Sequence, residues 1–256
     1  MTFSTTTLSS ASSSTSVSSS TSAASTSSPM SLRPQRFDLY GPIHKLMRAQ
    51  MTGLLVRMGS TNFLNEAAAT RVVKELEEML VTCEHHIEHE ERFIHPHLAE
   101  RLPNALAKVD EGHDDHARFV TELRGLMNAV TSAATADLRG LAGHTLYLHY
   151  SAFVADTLAH MVEEERVLQP LIHRFFSDEE LLGIHGAIIQ SMSPEETFRT
   201  LGGMIPVVNG PERAAILCGM RAGAPPEAFQ AFVASLRPRL DPEAWTELLA
   251  LCPFIG

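Results

Sequence analysis

Two short segments carry the residues best suited to chemistry: His86-Ile87-Glu88-His89-Glu90 and His160-Met161-Val162-Glu163-Glu164. Both read H-x-x-x-E. A spacing of four sets imidazole and carboxylate one above the other on a single helical face. Placed at about 100° per residue, Glu90 and Glu164 fall near the centres of their apolar stripes, with His86 and His160 at the edge of the inward sector. A carboxylate facing a core is costly unless it is paired or bound to a metal. One offset of 74 residues relates His86 to His160, Glu90 to Glu164 and Pro96 to Pro170, which reads as an internal duplication of a helix pair. Structural ion pairing is the rival reading, and two such pairs at matched places weigh against it.

Of the thirteen histidines, ten lie between Glu84 and Met161, a clustering that points to chemistry. His44 shares an apolar face with Met47, Met51, Leu54, Leu55 and Met58, where it is either a ligand or a satisfied core histidine. Leu106, Val109, His113, His116, Val120, Leu123 and Met127 step by three and four, so His113 and His116 both occupy the inward stripe and at least one is expected to ligate. Imidazoles and carboxylates converging from four helices suit iron or manganese better than a soft-ligand metal. A carboxylate can bridge two ions, so Glu90 and Glu164 point to a dinuclear site. His149 and Asp156, at the edge of their stripe, are candidates to orient the ligands. His85 and His89 project away from their stripe and are expected in solvent. His95, His97 and His173 flank helix ends, where cations are favoured anyway. Cys83 faces inward and reads as a small core hydrophobe.

Four helices must position these groups. Hydrophobic periodicity predicts them over about residues 42–58, 65–94, 104–130 and 137–173. The second is expected to stop near Pro96, and the fourth to kink or break near Pro170. Strand signals are weak, so the fold class is all-α, an antiparallel four-helix bundle with a C-terminal helical extension. From Ser177 the character changes. Ser193-Pro194-Glu195, Gly210-Pro211-Glu212 and Asp241-Pro242-Glu243 look like capped helix starts, predicting three or four shorter helices broken by Pro206, Gly210 and Pro225-Pro226. No catalytic constellation lies there. The chain thus divides into a Ser/Thr-rich tail over 1–31, the bundle over 32–178 and a short-helix extension over 179–256.

Composition excludes several classes. With 256 residues, one or two compact domains fit, and 44% apolar content is that of a globular protein. A formal net charge of −10 argues against a nucleic-acid partner, which needs basic patches. No apolar run reaches the roughly 18–20 residues of a membrane span. Cys83, Cys218 and Cys252 form no CxxC pair and no even disulfide framework, so a reducing cytoplasm is the expected compartment. The tail is too polar to bury a core and is expected to be disordered. It has no Lys or Arg and no apolar block, unlike a secretory signal. Met30 follows it directly, and the natural start is expected there; a genuine flexible tail is the alternative.

Together these residues resemble the hemerythrin-like (HHE cation-binding) family over about residues 32–178. The carriers are Ile43-His44-Lys45, His86 to Glu90, His113 or His116, and His160 to Glu164. The resemblance implies a non-haem di-iron centre in a four-helix bundle, binding oxygen, nitric oxide or peroxide. Its metal ligands would be His44, His86, Glu90, His113, His116, His160 and Glu164, with Glu90 and Glu164 bridging two iron ions; manganese or zinc could take the same donors. Oxygen-carrying hemerythrins have H-x-x-x-H on the third helix and H-x-x-x-x-D on the fourth. Here the third helix has His113-x-x-His116 and the fourth H-x-x-x-E. That pattern looks more like the di-iron proteins tied to repair of nitrosatively damaged iron–sulfur centres, without the cysteine-bearing N-terminal segment of some of them. The expected function is binding or sensing of a small diatomic ligand or peroxide. The alternatives are a di-iron enzyme or repair protein in nitrosative or oxidative stress, or a metal-dependent regulatory or scaffold protein whose C-terminal helices contact a protein partner.

Overall fold

The computed structural model describes residues 36–102 and 104–255; the Ser/Thr-rich tail and the start expected at Met30 lie outside the described residues. The fold is all-α. Helices α1 (Gly41–Gly59), α2 (Glu66–His89), α3 (His95–Arg101), α4 (Ala107–Thr131), α5 (Ala136–Glu163) and α6 (Gln169–Phe175) build the bundle. Its four long members, α1, α2, α4 and α5, pack antiparallel, with α1 and α4 each touching both α2 and α5. No helix among the described residues is long and apolar enough to cross a membrane.

Local chemistry fixes the starts. Asn65 and Thr135 accept hydrogen bonds from the Ala68 and Leu138 amides, capping α2 and α5. Asp38 Oδ1 accepts from the amides of Tyr40 and Gly41 at 3.0 and 2.9 Å and so sets the first turn of α1. A Cβ at residue 41 would lie 2.3 Å from Asp38 Oδ2, which explains the glycine there.

The second helix does not stop near Pro96. A π-turn, Glu90–Ile94, links α2 to α3, and an equivalent one, Glu164–Leu168, links α5 to α6. Proline has no N–H to donate and crowds the carbonyl four residues back. The chain therefore widens just upstream: the amides of His95 and Gln169 donate to the carbonyls of Glu90 and Glu164, five residues earlier. Pro96 and Pro170 then sit at the tolerated first turn of α3 and α6. The break expected near Pro170 is this π-turn, and its twin obeys the same 74-residue offset.

Past Phe176 come α7 (Asp178–Ser191), α8 (Pro194–Met204), α9 (Gly210–Gly223), α10 (Pro226–Leu236) and α11 (Pro242–Leu251), five helices rather than three or four. Ser177, Ser193 and Asn209 form capping boxes, so the third start is capped one residue before Gly210. Asp241 caps α11. This region has its own core around Leu217, Phe232, Leu236 and Leu248. It leans on α1, where Leu46 packs with Met204 and Val208 and Lys45 pairs with Glu212 at 2.5 Å.

Candidate metal centre

The long axis of the bundle holds two apolar clusters. One contains Met51, Leu76, Leu80, Cys83, Tyr150, Phe153 and Met161. The other contains Tyr40, Ile94, Leu98, Val109, Leu168 and Ile172. Between them, at the level of the π-turns, lies a polar layer of His44, His86, Glu90, His113, His160 and Glu164. Glu90 is 2% exposed and Glu164 0%, so two carboxylates are sealed in apolar walls.

Four imidazoles and two carboxylates converge as two sets. His44, His86, Glu90 and Glu164 form one, and Glu90, His113, His160 and Glu164 the other; within each, one donor atom per residue lies within 4.8 Å of the rest. Both carboxylates belong to both sets. His86 Nε2 stands 3.2 Å from Glu90 Oε1, His160 Nε2 3.4 Å from Glu164 Oε1, His113 Nε2 3.4 Å from Glu90 Oε2 and His44 Nε2 3.4 Å from Glu164 Oε2. Donors about 2.1 Å from a common ion stand about 3.0–3.4 Å apart at right-angled to tetrahedral angles. The spacing is that of ligands around ions.

Hydrogen bonding gives the decisive test of fit. Among the described residues, the inward Nε2 atoms of His44, His86, His113 and His160 and both oxygens of Glu90 and of Glu164 are buried without a hydrogen-bond partner. Buried polar atoms are almost always satisfied, and an unpaired buried carboxylate is among the most expensive exceptions. Eight such atoms facing one another fit a pair of cations. The opposite ring edges are held where the fold supplies partners. His44 Nδ1–H donates to Glu165 Oε1 at 3.0 Å, and Arg48 grips both oxygens of Glu165 at 2.6 and 3.0 Å. His113 Nδ1–H donates to Glu91 Oε1 at 3.1 Å. A carboxylate on the outer nitrogen orients the ring and fixes which nitrogen would meet a metal, the inner one giving up any proton it carries when a cation binds.

The electrostatics carry the same signature. Burial drives the His86 imidazole down to about 4. Burial would also depress His44, but its bond to Glu165 and the charges of Glu90 and Glu164 carry it up to about 9. Glu90 is held well below the usual carboxylate range: burial opposes this, and His86, His113 and His44 overcome it. Glu164 is pushed up, first by burial and then by Glu90 itself. Two carboxylates in one dry cavity cannot both ionise comfortably without added positive charge.

Six of the seven expected site residues therefore meet in one layer. His116 is the one that stands apart. Its Nε2–H donates to Thr157 Oγ1 at 2.6 Å, while the Thr157 hydroxyl donates to the Phe153 carbonyl at 2.8 Å. Its ring lies edge-on to Phe153, and burial pushes its imidazole down to about 3. Of the two third-helix candidates, geometry brings His113 into the layer and gives His116 a neighbouring structural contact. Replacing His116 by Ala is expected to leave metal stoichiometry unchanged, while opening a cavity and costing about 2–4 kcal/mol in chemical denaturation. A metal content that drops with this variant would return His116 to the ligand set.

His149 is exposed and Asp156 half-buried; the carboxylates that hold the outer ring nitrogens of His44 and His113 belong to Glu165 and Glu91. His85 and His89 face the C-terminal helices: His85 pairs with Glu196 at 3.2 Å, and His89 lies 3.5 Å from Ser191 Oγ. His95, expected as a helix-end cation, is buried and stacked parallel on His113 at 5.2 Å. Sequence patterns gave no sign of Tyr40, wholly buried beside His44 with its hydroxyl unpartnered. Its phenol is pushed well up by burial and then by the charges of Glu90 and Glu164, which places it in the field of the site.

Comparison with known proteins adds one match. The family model described as Hemerythrin HHE cation binding domain covers residues 42–172, just over half of the 256-residue chain. No match was found among curated proteins or solved structures.

Proposed function

The chain belongs to the hemerythrin HHE cation-binding family, and from that premise we propose that its bundle holds two iron ions and binds a small ligand of the oxygen, nitric oxide or peroxide class. His44 and His86 would terminate one ion and His113 and His160 the other, with Glu90 and Glu164 bridging both. The observation that carries this reading is the sharing of both carboxylates by both donor sets, with every inward atom left unsatisfied by protein. Imidazole with carboxylate suits iron, and also manganese or zinc. Two nitrogens and two oxygens would be offered to each ion. When bound, iron supplies reversible one-electron chemistry and open positions for a small ligand.

The protein's part is to hold, orient and dry the site. Glu165 with Arg48, and Glu91, keep His44 and His113 in the metal-binding tautomer. The apolar clusters on either side keep bulk water out, which strengthens every charge interaction within.

Metal analysis of the aerobically purified protein is expected to give two iron ions per chain with charge-transfer absorption of a ferric pair. Chelation should remove that absorption and lower the melting temperature. A single ion per chain, or metal-free protein that melts no differently after iron loading, overturns the dinuclear reading. Two zinc or manganese ions would keep the site and change its metal. Steady-state consumption of peroxide or nitric oxide with a reductant then separates turnover from stoichiometric binding.

A further inference from the structure

Outside the bundle, the C-terminal helices bring together two cysteines that are 34 residues apart in sequence. Cys218 lies on α9 and is exposed; Cys252 caps the end of α11 and is buried. The Cys252 thiol points at α9, with Sγ 4.0 Å from the Ala214 carbonyl. Ala214 is one helical turn before Cys218, so both lie on one side of α9, next to the end of α11. Cys252 Sγ therefore lies against the turn of α9 that leads into Cys218. The segment that carries Cys252 is pinned there. Its amide donates to the Leu248 carbonyl at 2.8 Å, and Phe254, two residues on, lies under the Arg221 guanidinium of α9 at 4.4 Å.

We propose that Cys218 and Cys252 form a peroxide-responsive thiol pair that closes to a disulfide between α9 and the end of α11. Cys218 is the reactive partner, because it alone meets solvent. Its thiolate attacks one peroxide oxygen, the O–O bond breaks and water leaves after protonation, giving a sulfenic acid on Cys218. The Cys252 sulfur, having lost its proton, then attacks Cys218 Sγ, and the sulfenic oxygen departs as a second water. In sum, two thiols and one hydrogen peroxide become one disulfide and two waters; the cysteines lose two electrons and peroxide gains them. Burial, and then the neighbouring Cys218 sulfur, hold the Cys252 thiol above the usual cysteine range, so it waits as the resolving partner. Since Cys252 Sγ already lies one helical turn from Cys218 on α9, closure asks for side-chain rotation rather than helix movement. α9 also carries Glu212, the partner of Lys45 beside His44, so the disulfide fastens the helix that braces α1. None of this rests on metal binding in the bundle.

Full-length reduced protein, treated with hydrogen peroxide and digested without reductant, is expected to yield one peptide joining Cys218 to Cys252. The intact mass should fall by two hydrogens, and dithiothreitol should reverse both changes. Cys83, buried in the bundle, should stay reduced and serves as the internal control. Cys218→Ser, a surface change, should abolish the link and leave Cys252 reduced. Cys252→Ala should raise several-fold the sulfenic acid trapped on Cys218. If that variant fails to fold, the wild-type map and Cys218→Ser still decide. Over-oxidation of Cys218 with Cys252 left reduced, links formed between chains, or two thiols unchanged at doses that oxidise free cysteine would each overturn the proposal.

Discussion

Glu164→Gln is expected to strip the bundle of its second metal ion while making the metal-free protein more stable; Glu90→Gln should lose metal equally and make the metal-free protein less stable. The loss of metal follows from their shared place, since each carboxylate belongs to both donor sets. An amide neither bridges nor balances two cations, so the ratio should fall from two ions per chain to one or none. The opposite effects on the metal-free protein follow from what surrounds each group. Glu90 has His86, His113 and His44 against it, and its carboxyl is held well below the ordinary range. A depressed carboxyl stabilises the fold at neutral pH, and that contribution vanishes as pH falls through the folded value. Removing its charge leaves the His44 imidazolium without one of its buried partners, at a cost of about 3 kcal/mol. Glu164 is displaced the other way, by burial and by Glu90. A raised carboxyl opposes folding at neutral pH and stops doing so as the pH drops and it takes up a proton. A neutral amide of the same shape removes that repulsion, and although it also takes from His44 a carboxylate at 3.4 Å, the net change favours the metal-free fold. Chemical denaturation of chelator-treated variants at neutral pH, beside metal analysis of the untreated ones, measures both effects. Stability changes of the same sign would mean that the two carboxylates do not differ as their surroundings require.

The readable part of this site was the part set by helical repeat. His86 with Glu90 and His160 with Glu164 could be placed on inward faces because each pair lies within one helix and shares that helix's apolar stripe. His44 followed in the same way. His113 and His116 could not be separated, because both fit a stripe that steps by three and four. The deciding group is Thr157, which sits on another helix and offers His116 a hydroxyl. Glu91 and Glu165 escaped notice because a residue next to an inward one points about 100° away on a regular helix. Each begins where the π-turn loosens the backbone, and each has a side chain long enough to reach the outer nitrogen of a histidine on a neighbouring helix.

Pro96 misled for a related reason. Pro96 implies an end only if the preceding turn must stay α-helical. With one wider turn the chain continues into α3, and the same solution recurs before Pro170. That the duplicated H-x-x-x-E segments, the prolines and both π-turns obey one offset makes the two halves of the site a repeated unit. The repeat is inexact where it meets its surroundings. His95 in the first half becomes Gln169 in the second, where the amide receives the Leu39 N–H at 3.2 Å. Glu165 gains Arg48, while Glu91 is more than half exposed. The two donor sets are alike in donor residues and unlike in support, which would give two bound ions different surroundings.

Gly112→Ala should empty one half of that unit without unfolding the bundle. Gly112 lies inside α4, where glycine is worse than alanine by about 1 kcal/mol unless something requires it. Its backbone is ordinary helix, so conformation does not require it. Space does: a Cβ at this position would stand 2.5 Å from His160 Nδ1 and 2.9 Å from Cε1. The His160 ring rests against bare backbone, and an alanine methyl must push it off the line to Glu164. The ring is not locked in, its side chain being 10% exposed, so it can yield by swinging outward. The expected result is one metal ion per chain, with His44 and His86 still holding theirs, and altered optical absorption. Metal-free stability should change by less than about 1 kcal/mol, because the helix gains what the packing loses. Gly125→Ala is the matched control: it lies on the same helix, meets nothing within 4 Å, and should raise stability by up to about 1 kcal/mol with both ions kept. Two ions retained with an unchanged spectrum in Gly112→Ala would show that His160 can ligate from a position other than the one the bundle gives it.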